Sequence, residues 1–520
     1  MNGGIVLRPD LTIGQENLQR EQGSPILNAW LAERKLKQGS APVSTSGRNK
    51  RNYTGAGISR LNTGWGTVPT PPNWHLWQGL QALRARSREQ ARNNDYARRF
   101  IAMCKSNIIG PNGITMQSRV ADADGKPDKL INDAIESAWC EWSRYCDIGG
   151  RLTLAEMCRL IVATVATDGE CLVRRFNSGP SGFQLKLIDP ELLDIRFNEI
   201  RQNGNRVRMG VEMDQHGKPV AYYLLDDQGD LYQSSYYTGK HIRVPADQIL
   251  HLYLPEMIDQ ARGVPWMASA LVRMKNLHGY EEAAVIAARI GASKMGFFHA
   301  KEGEGPEPLA DDETIDGEFI QDAEPGAFEV LPEGYDFTAF DPDYPHQQFG
   351  DFIKATLRGI SSGFGVCYNG LANDLEGVNF SSIRAGVLEE REHWKTLQSW
   401  FIDGFMRPVF ESWLDIQLTL GTIKTPTTNG MPKALPADQF EQFRKVSFQP
   451  RRWAWVDPAK DMKANENAIK LNLKSRSEII RDMGRDPDEV WAEIQRENEQ
   501  MKTLGISPAA ADAATGAANG

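Results

Sequence analysis

The sequence predicts an α+β protein, and three observations carry that reading. Apolar residues recur at helical spacing up to Asp168-Gly169, where the period switches to two as far as about residue 253. From Gly263 onward long helical patterns return, interrupted by one strongly acidic insert. Finally, 520 residues with 41% hydrophobic and 24% charged content suit a soluble, core-forming chain of about two to four structural units.

Residues 1–64 are rich in Gly, Ser, Asn, Thr and Arg, and bury too little apolar surface to offset their ordering entropy. We read them as a flexible basic arm. The next residues, Leu76 to Ile109, are helical, with Leu76, Leu80, Leu83, Tyr96, Phe100 and Met103 on one face. The other face carries Arg84, Arg86, Arg88, Arg92, Arg98 and Arg99. Such a run is either a solvated face or a phosphate or partner contact, and spacing alone favours the solvated reading. Asn107 to Gln117 places a turn between two short strands, and Lys129 to Tyr145 is a helix with Trp139 and Trp142 on one side. A second helix, Leu154 to Thr167, is announced by the capping box Thr153-Leu-Ala-Glu156.

Strand signals follow at Glu170–Phe176, Phe183–Ile188, Val207–Met213, Val220–Leu225, Ile242–Val244 and Ile249–Tyr253. Residues 65–265 therefore form an α+β domain. Pro265 suits the first turn of a helix running to about Phe298, about 50 Å at 1.5 Å per residue, long enough to need other long helices to pack against. A second helix, Gln347 to about Phe364, aligns Phe349, Phe352, Ile353, Leu357, Ile360 and Phe364. Between them, Ala300 to Asp343 holds 15 Asp and Glu against one Lys. Four phenylalanines (Phe319, Phe328, Phe337, Phe340) make this insert a folded α/β tip rather than an acidic tail. The formal charge of −9 thus conceals an insert of −14 and a remainder of +5, the difference between the two. A polar, Gly-bearing loop, Tyr368 to Asn379, leads into a third helix from Ser381 to Leu420, which Pro408 should kink or interrupt. Beyond a linker come Phe440–Val446, the aromatic pair in Arg451-Arg-Trp-Ala-Trp-Val456, and at least two helices. The second, Pro487 to Met501, takes Asp486 as its N-cap. Residues 507–520 are an Ala/Gly tail.

Chemistry-bearing motifs are few. Every Gly-Lys is followed by Pro or His, so the phosphate-cradling GK[ST] loop of an ATPase is missing. Gly359-Ile-Ser361-Ser-Gly363 matches the nucleophile-elbow string, but the residues before it are helical rather than an apolar strand. His251 alternates with apolar neighbours and reads as a hydrogen-bonded strand residue rather than a ligand. The six cysteines show no CxxC spacing and read as small buried hydrophobes of a reducing compartment. No metal or cofactor is expected. No apolar run reaches the roughly 18 to 20 residues of a bilayer span, and no signal-peptide pattern opens the chain, so no membrane partner and no secretion are expected.

With these elements in order, the chain resembles the portal proteins of tailed bacteriophages, specifically the lambda-like family. The resemblance runs from about Asn73 to Met501. It rests on Leu80-Gln-Ala-Leu-Arg-Ala-Arg-Ser-Arg-Glu-Gln-Ala-Arg-Asn-Asn94, Asp168-Gly-Glu170, Leu187-Ile-Asp-Pro-Glu-Leu-Leu193, Arg262-Gly-Val-Pro-Trp266, Gly377-Val-Asn-Phe-Ser-Ser382, Ser475-Arg-Ser-Glu478 and Gly484-Arg-Asp-Pro487. It implies a non-enzymatic, cofactor-free virion protein, assembled in the host cytoplasm. About twelve copies would form a ring at one capsid vertex, pass double-stranded DNA, and dock the large terminase subunit, capsid and head-completion proteins. It further implies a wing over 65–265, stem helices over 266–298 and 346–368, an acidic clip over 299–345, a tunnel loop over 369–380, a long wing helix over 381–421 and a helical crown over 422–506. In the clip it singles out Asp311, Asp312, Glu313, Asp316 and Glu318. In the tunnel loop it singles out Leu371, Asn373, Asp374, Glu376, Gly377 and Asn379, with Gly370 and Gly377 as hinges of a mobile collar. It makes Arg84, Arg88, Arg92, Arg98 and Arg99 candidate subunit or phosphate contacts. The remaining alternatives are another shell or tail component and, less favoured without a phosphate loop, a packaging enzyme.

Overall fold

The computed structural model describes residues 68–179, 181–226, 240–292, 348–377, 379–426, 432–453 and 458–505, with Gly66 and four short strands between 296 and 339. The chain divides into two compact units at Pro69/Thr70, and everything below belongs to the second. The arm over 1–64 and the tail over 507–520 lie outside the described residues.

The first helical stretch is two helices, α1 (Pro72–Asn93) and α2 (Asp95–Cys104), closed by a π-helical turn over Lys105–Ile109. The break has a local cause. Asn94 adopts an extended backbone and its side-chain oxygen accepts the Ala97 N–H at 3.1 Å, so it acts as an N-cap. Strand β1 (Thr115–Ser118) and helices α3 (Lys129–Ser143) and α4 (Leu154–Asp168) follow. Both halves of the Thr153/Glu156 capping box are formed.

The period-two region builds two antiparallel sheets. One has the order β3-β2-β9, from Gln184–Ile188, Glu170–Phe176 and Ile249–Tyr253. The other is a meander, β4 (Glu199–Ile200), β5 (Arg206–Arg208), β6 (Val211–Met213), β7 (Pro219–Leu225) and β8 (His241–Pro245). Val207–Met213 is thus not one strand. Met209 and Gly210 both take positive φ, 48° and 83°, and turn the chain between Arg208 and Val211, which face each other.

The largest correction concerns the helix expected over 266–298. Residues 266–270 form turns, α5 spans only Leu271–Ala292, and β10 (Gly296–Ala300) pairs antiparallel with β13 (Tyr335–Ala339). The sequence Phe297-Phe298 favours a strand once a partner is present, and that partner arrives 35 or more residues later. At 22 residues α5 is about 33 Å long rather than about 50 Å. Within the acidic insert, β11 (Thr314–Ile315) pairs with β12 (Glu318–Phe319), so its described part is strand. Helix α6 (Phe349–Phe364) returns beside α5, with Tyr280 against Phe349 and Phe352 at ring distances of 5.5 and 4.7 Å. Phe352 nonetheless stays half exposed.

The loop expected from Tyr368 begins as a short helix, α7 (Tyr368–Ala372). Then α8 (Phe380–Phe401) and α9 (Arg407–Leu420) are joined by a π-helical segment, Ile402–Met406. Pro408, in the first turn of α9, causes the expected interruption, since it offers no N–H to a continuous ladder. Trp394, Leu397, Phe401, Phe405, Val409 and Trp413 are all buried, as their spacing predicted. Trp139 of α3 meets Phe410 and Trp413 of α9 edge-on at 5.5 and 5.1 Å, and the Trp142 indole N–H donates to the Phe183 carbonyl at 2.8 Å. This aromatic block ties the helices to the β3 edge. After the hairpin β14–β15 (Lys424–Thr425, Lys433–Ala434), β16 (Val446–Gln449) pairs with β1, and α10 (Phe440–Phe443) precedes it. The chain ends in α11 (Pro458–Lys470), α12 (Arg476–Asp482) and α13 (Pro487–Thr503), with Asp486 capping α13.

Candidate functional site

Two constructions stand out, a buried ion cluster beneath the sheets and the segment between α6 and α8. The cluster centres on Glu170, wholly buried at the start of β2. One carboxylate oxygen accepts from Arg84 at 2.6 Å and from Arg262 Nε at 2.7 Å; the other accepts from the Gly263 N–H at 2.7 Å and lies 3.0 Å from His251 Nε2. Burial alone would raise this carboxyl, but Arg262, Arg84 and His251 hold it well below the usual carboxylate range. Arg262, also wholly buried, spends its remaining donors on the carbonyls of Leu193 (3.1 Å), Met209 (2.7 Å) and Pro190 (3.3 Å). Arg88 grips Asp168 through two bonds of 2.7 and 2.8 Å and reaches Asp189 at 2.7 Å. Burial still leaves the Asp168 carboxyl above its ordinary value, against the pull of Arg88.

Backbone contact closes the cluster. Gly169, at φ 91°, and Gly263 lie main chain to main chain, with no room for a Cβ on either. Three of the strings that carried the family resemblance, Asp168-Gly-Glu, the Asp189-Pro-Glu turn and Arg262-Gly-Val-Pro, therefore meet at one point. They lock α1, the end of α4, β2 and the approach to α5 together. Nothing in an arginine's sequence position says that its partners lie 80 to 107 residues away.

The arginine row is corrected accordingly. Arg84 and Arg88 are internal partners of Glu170, Glu191, Asp168 and Asp189 rather than a solvated face, Arg84 buried and Arg88 part exposed. Arg92, Arg98 and Arg99 remain exposed, and Arg99 Nε donates to the Gly370 carbonyl at 3.1 Å.

That bond leads to the second construction. Leu371, expected in a loop, is a buried residue of α7. Asn373 ends α7 in the left-handed region at φ 55°. Asp374 then organises the turn: it accepts from the Tyr368 hydroxyl at 2.7 Å and the Glu376 N–H at 2.9 Å, and Asn369 donates to its carbonyl at 2.7 Å. The Tyr368 hydroxyl helps to hold the Asp374 carboxyl below its ordinary value. Burial, with Asp374 beside it, pushes the tyrosine up to about 12. Lys354 of α6 pairs with Glu376 at 3.0 Å. Asn379 is exposed at the entry to α8, its carbonyl accepting the Ile383 N–H at 3.1 Å. Of the two expected hinges only Gly377, at φ 67°, takes a glycine-favoring backbone, whereas Gly370 sits in α7 against the Met103 methyl.

The acidic residues Asp311, Asp312, Glu313 and Asp316 lie outside the described residues, as does the side chain of Glu318, which opens β12. Ser361 is buried in α6 and its hydroxyl donates to the Arg358 carbonyl at 3.0 Å, as a helix residue rather than a nucleophile on an elbow. Among the cysteines, Cys140 is exposed and Cys367 half-buried, against the expectation of burial throughout. Among the described residues no group of three or more His, Cys, Asp or Glu could hold a metal ion, and no helix is long and apolar enough to cross a membrane.

Residues 59–398 match the family described as phage portal protein, lambda family. The chain is 36% identical over 466 residues to a "Probable portal protein" of Halomonas phage phiHAP-1, covering 88% of each. It is 22% identical to the "Portal protein" of Escherichia phage N15, covering 88% of this chain and 91% of that one. It is also 22% identical to "Portal protein B" of Escherichia phage lambda, covering 88% and 90%. Among solved structures, the neck of an empty GTA particle aligns with a TM-score of 0.42 at 14% identity, over 82% of this chain and 97% of that one.

Proposed function

The chain belongs to the lambda family of phage portal proteins, structural components of the virion rather than enzymes, and on that premise we propose that it is one subunit of a ring of about twelve at a capsid vertex, through which double-stranded DNA enters and leaves. The observation that carries the proposal is the 36% identity to a portal protein across 88% of both chains. The surface supports it: Val272, Val285 and Ile286 on α5, Phe352 on α6 and Leu388 on α8 are between 45% and 68% exposed. Apolar residues concentrated on helices in this way suit burial against neighbouring copies.

In this reading 65–265 and the helix over 381–421 serve as the wing, α5 and α6 as the stem, and the region after 422 as the crown. The acidic insert is the clip, and twelve copies of −14 place −168 on it. Such density cannot face itself across every subunit contact without costly repulsion, so it lines the channel or meets a basic partner such as the terminase or a head-completion protein. The turn from Asn373 to Asn379 is the tunnel loop. Its acceptor-rich side chains do not pair with phosphate, so it acts on DNA as a steric collar.

Native mass spectrometry with negative-stain imaging of the purified protein tests the ring. A closed assembly of about twelve with a central hole is expected, and a stable monomer at micromolar concentration contradicts it. For the clip, Lys replacements of Asp311, Asp312 and Glu313 in an assembled ring should impair DNA packaging or motor docking. Unaltered packaging and docking would count against both roles.

A further inference from the structure

The last three helices bury little for their length. Helix α9, at 14 residues, buries six of its side chains, whereas α11, at 13, buries none. Among the described residues from 458 to 505, only Ile479 of α12 and Pro487 of α13 are buried. Met462, Leu471 and Leu473 are 60% or more exposed, and Trp491 and Ile494, three apart on α13, are each 45% exposed. Isolated helices shorter than about 12 to 15 residues are marginal in water, so α11 and α12 depend on a packed face that their own chain barely supplies. The join to the chain's own body is also partly repulsive. Arg384 of α8 pairs with Asp461 at 3.3 Å, but where α13 begins, Glu136 of α3 lies among the carboxylates of Asp486, Asp133 and Glu489. Burial first, then these like charges, push Glu136 up to about 7, against the Ser118 N–H that it accepts at 2.7 Å.

Charge identifies the missing cover. Residues 458–485 carry seven Lys and Arg against four Asp and Glu, a net +3, while 486–505 carry two against six, a net −4. Arg485 and Glu493 bridge the two halves at 2.5 Å where they adjoin, and α13 continues past that bridge with Glu497 and Glu499 exposed. A closed ring of identical subunits needs each copy to present two different faces that complement each other. This segment holds both, whereas a foreign acidic or basic protein would satisfy only one half. Resting on the ring reading above, we propose that 458–505 is an intersubunit clasp completed by a second copy of this chain: basic α11 and α12 of one subunit receive acidic α13 of the next, and Trp491 and Ile494 enter the contact. Order in the clasp is then coupled to assembly, because the neighbour supplies the apolar burial and the counter-charge that a single chain lacks.

The test is a charge swap in the full-length protein, read by native mass spectrometry. One variant reverses the acidic half (Glu489→Lys, Glu497→Lys, Glu499→Lys) and another the basic half (Lys463→Glu, Arg476→Glu, Arg481→Glu). Each alone sets like charge against like at every contact and should cut the yield of closed rings about tenfold. An equimolar mixture restores opposite charges at every contact and should give rings that contain both chains. Mixing repairs nothing within one chain, so the rescue belongs to the contact between copies. Hydrogen exchange on the parent needs no variant: amides of α11 to α13 should exchange about tenfold more slowly in the ring than in protein diluted to monomer, with α4 unchanged. Full ring yield from both variants alone, a mixture that stays unassembled, or equal exchange in ring and monomer would each overturn the clasp while the parent ring stands. A parent that forms no ring overturns the ring reading itself, and the clasp with it.

Discussion

Glu170 shows how much a single residue can be asked to hold. Its carboxylate neutralises two buried arginines and fixes the Gly263 backbone. Replacing it with Gln keeps the shape but leaves the buried Arg262 without its counter-charge and Arg84 with Glu191 alone, a loss of about 3–5 kcal/mol by analogy with other broken buried pairs. Urea unfolding of Glu170→Gln should show that loss; a change below about 1 kcal/mol would mean that water reaches the cluster. The pH dependence has a definite sign. Because the folded carboxyl lies well below its unfolded value, its contribution is fully present above about pH 4.3 and is lost as pH falls through the folded value. The acid limb of the stability curve should accordingly flatten in the variant. Gly169 and Gly263 belong to the same construction, and Gly263→Ala should destabilise strongly, because its Cβ would overlap the Gly169 backbone.

At the scale of elements, the segment after α6 behaves as a pinned turn rather than a free loop. Tyr368, Asn369 and Lys354 hold Asp374 and Glu376 from α7 and α6. Tyr368→Phe removes one anchor and should speed amide hydrogen exchange over 374–379 severalfold, with exchange in α6 and α8 unchanged. Equal exchange in both proteins would show that the backbone turn holds itself. The elements differ in how legible they were. Helices with a one-sided apolar stripe, α4 and α9 above all, are visible in spacing, because the pattern that writes them is local and the caps sit beside them. The end of α5 is not, because β10 exists only through β13 and a ladder partner across the insert leaves no trace at Phe297. The same reason hides the ion cluster: Arg84 continues the buried stripe of Leu76 and Leu80, but the carboxylate that lets a guanidinium sit there, Glu170, lies 86 residues away. Met209-Gly210 was missed for another cause, since a hairpin with Met at a positive-φ position lacks the Asn-Gly or Asp-Gly signal.

For the whole molecule, the proposed ring demands that surfaces tolerable on a monomer become interior. Val272 is 68% exposed and Val285 51%, both on α5. If these side chains are subunit contacts, a charge there is nearly harmless to the isolated fold and damaging to assembly. Val272→Asp and Val285→Asp should each leave unfolding of the single chain within about 0.5 kcal/mol of the parent, as for ordinary surface substitutions. In the ring each change recurs at every interface, so even a modest penalty per contact multiplies around the circle. Native mass spectrometry should then show monomers and small oligomers where the parent gives a closed ring. Rings that form normally in both variants would remove α5 from the interface and leave its exposed valines to some other partner. Raising the salt concentration separates this apolar contribution from the electrostatic one: screening relaxes repulsion among the acidic inserts but leaves the cost of burying an aspartate in an apolar contact. Salt should therefore fail to restore assembly of the α5 variants.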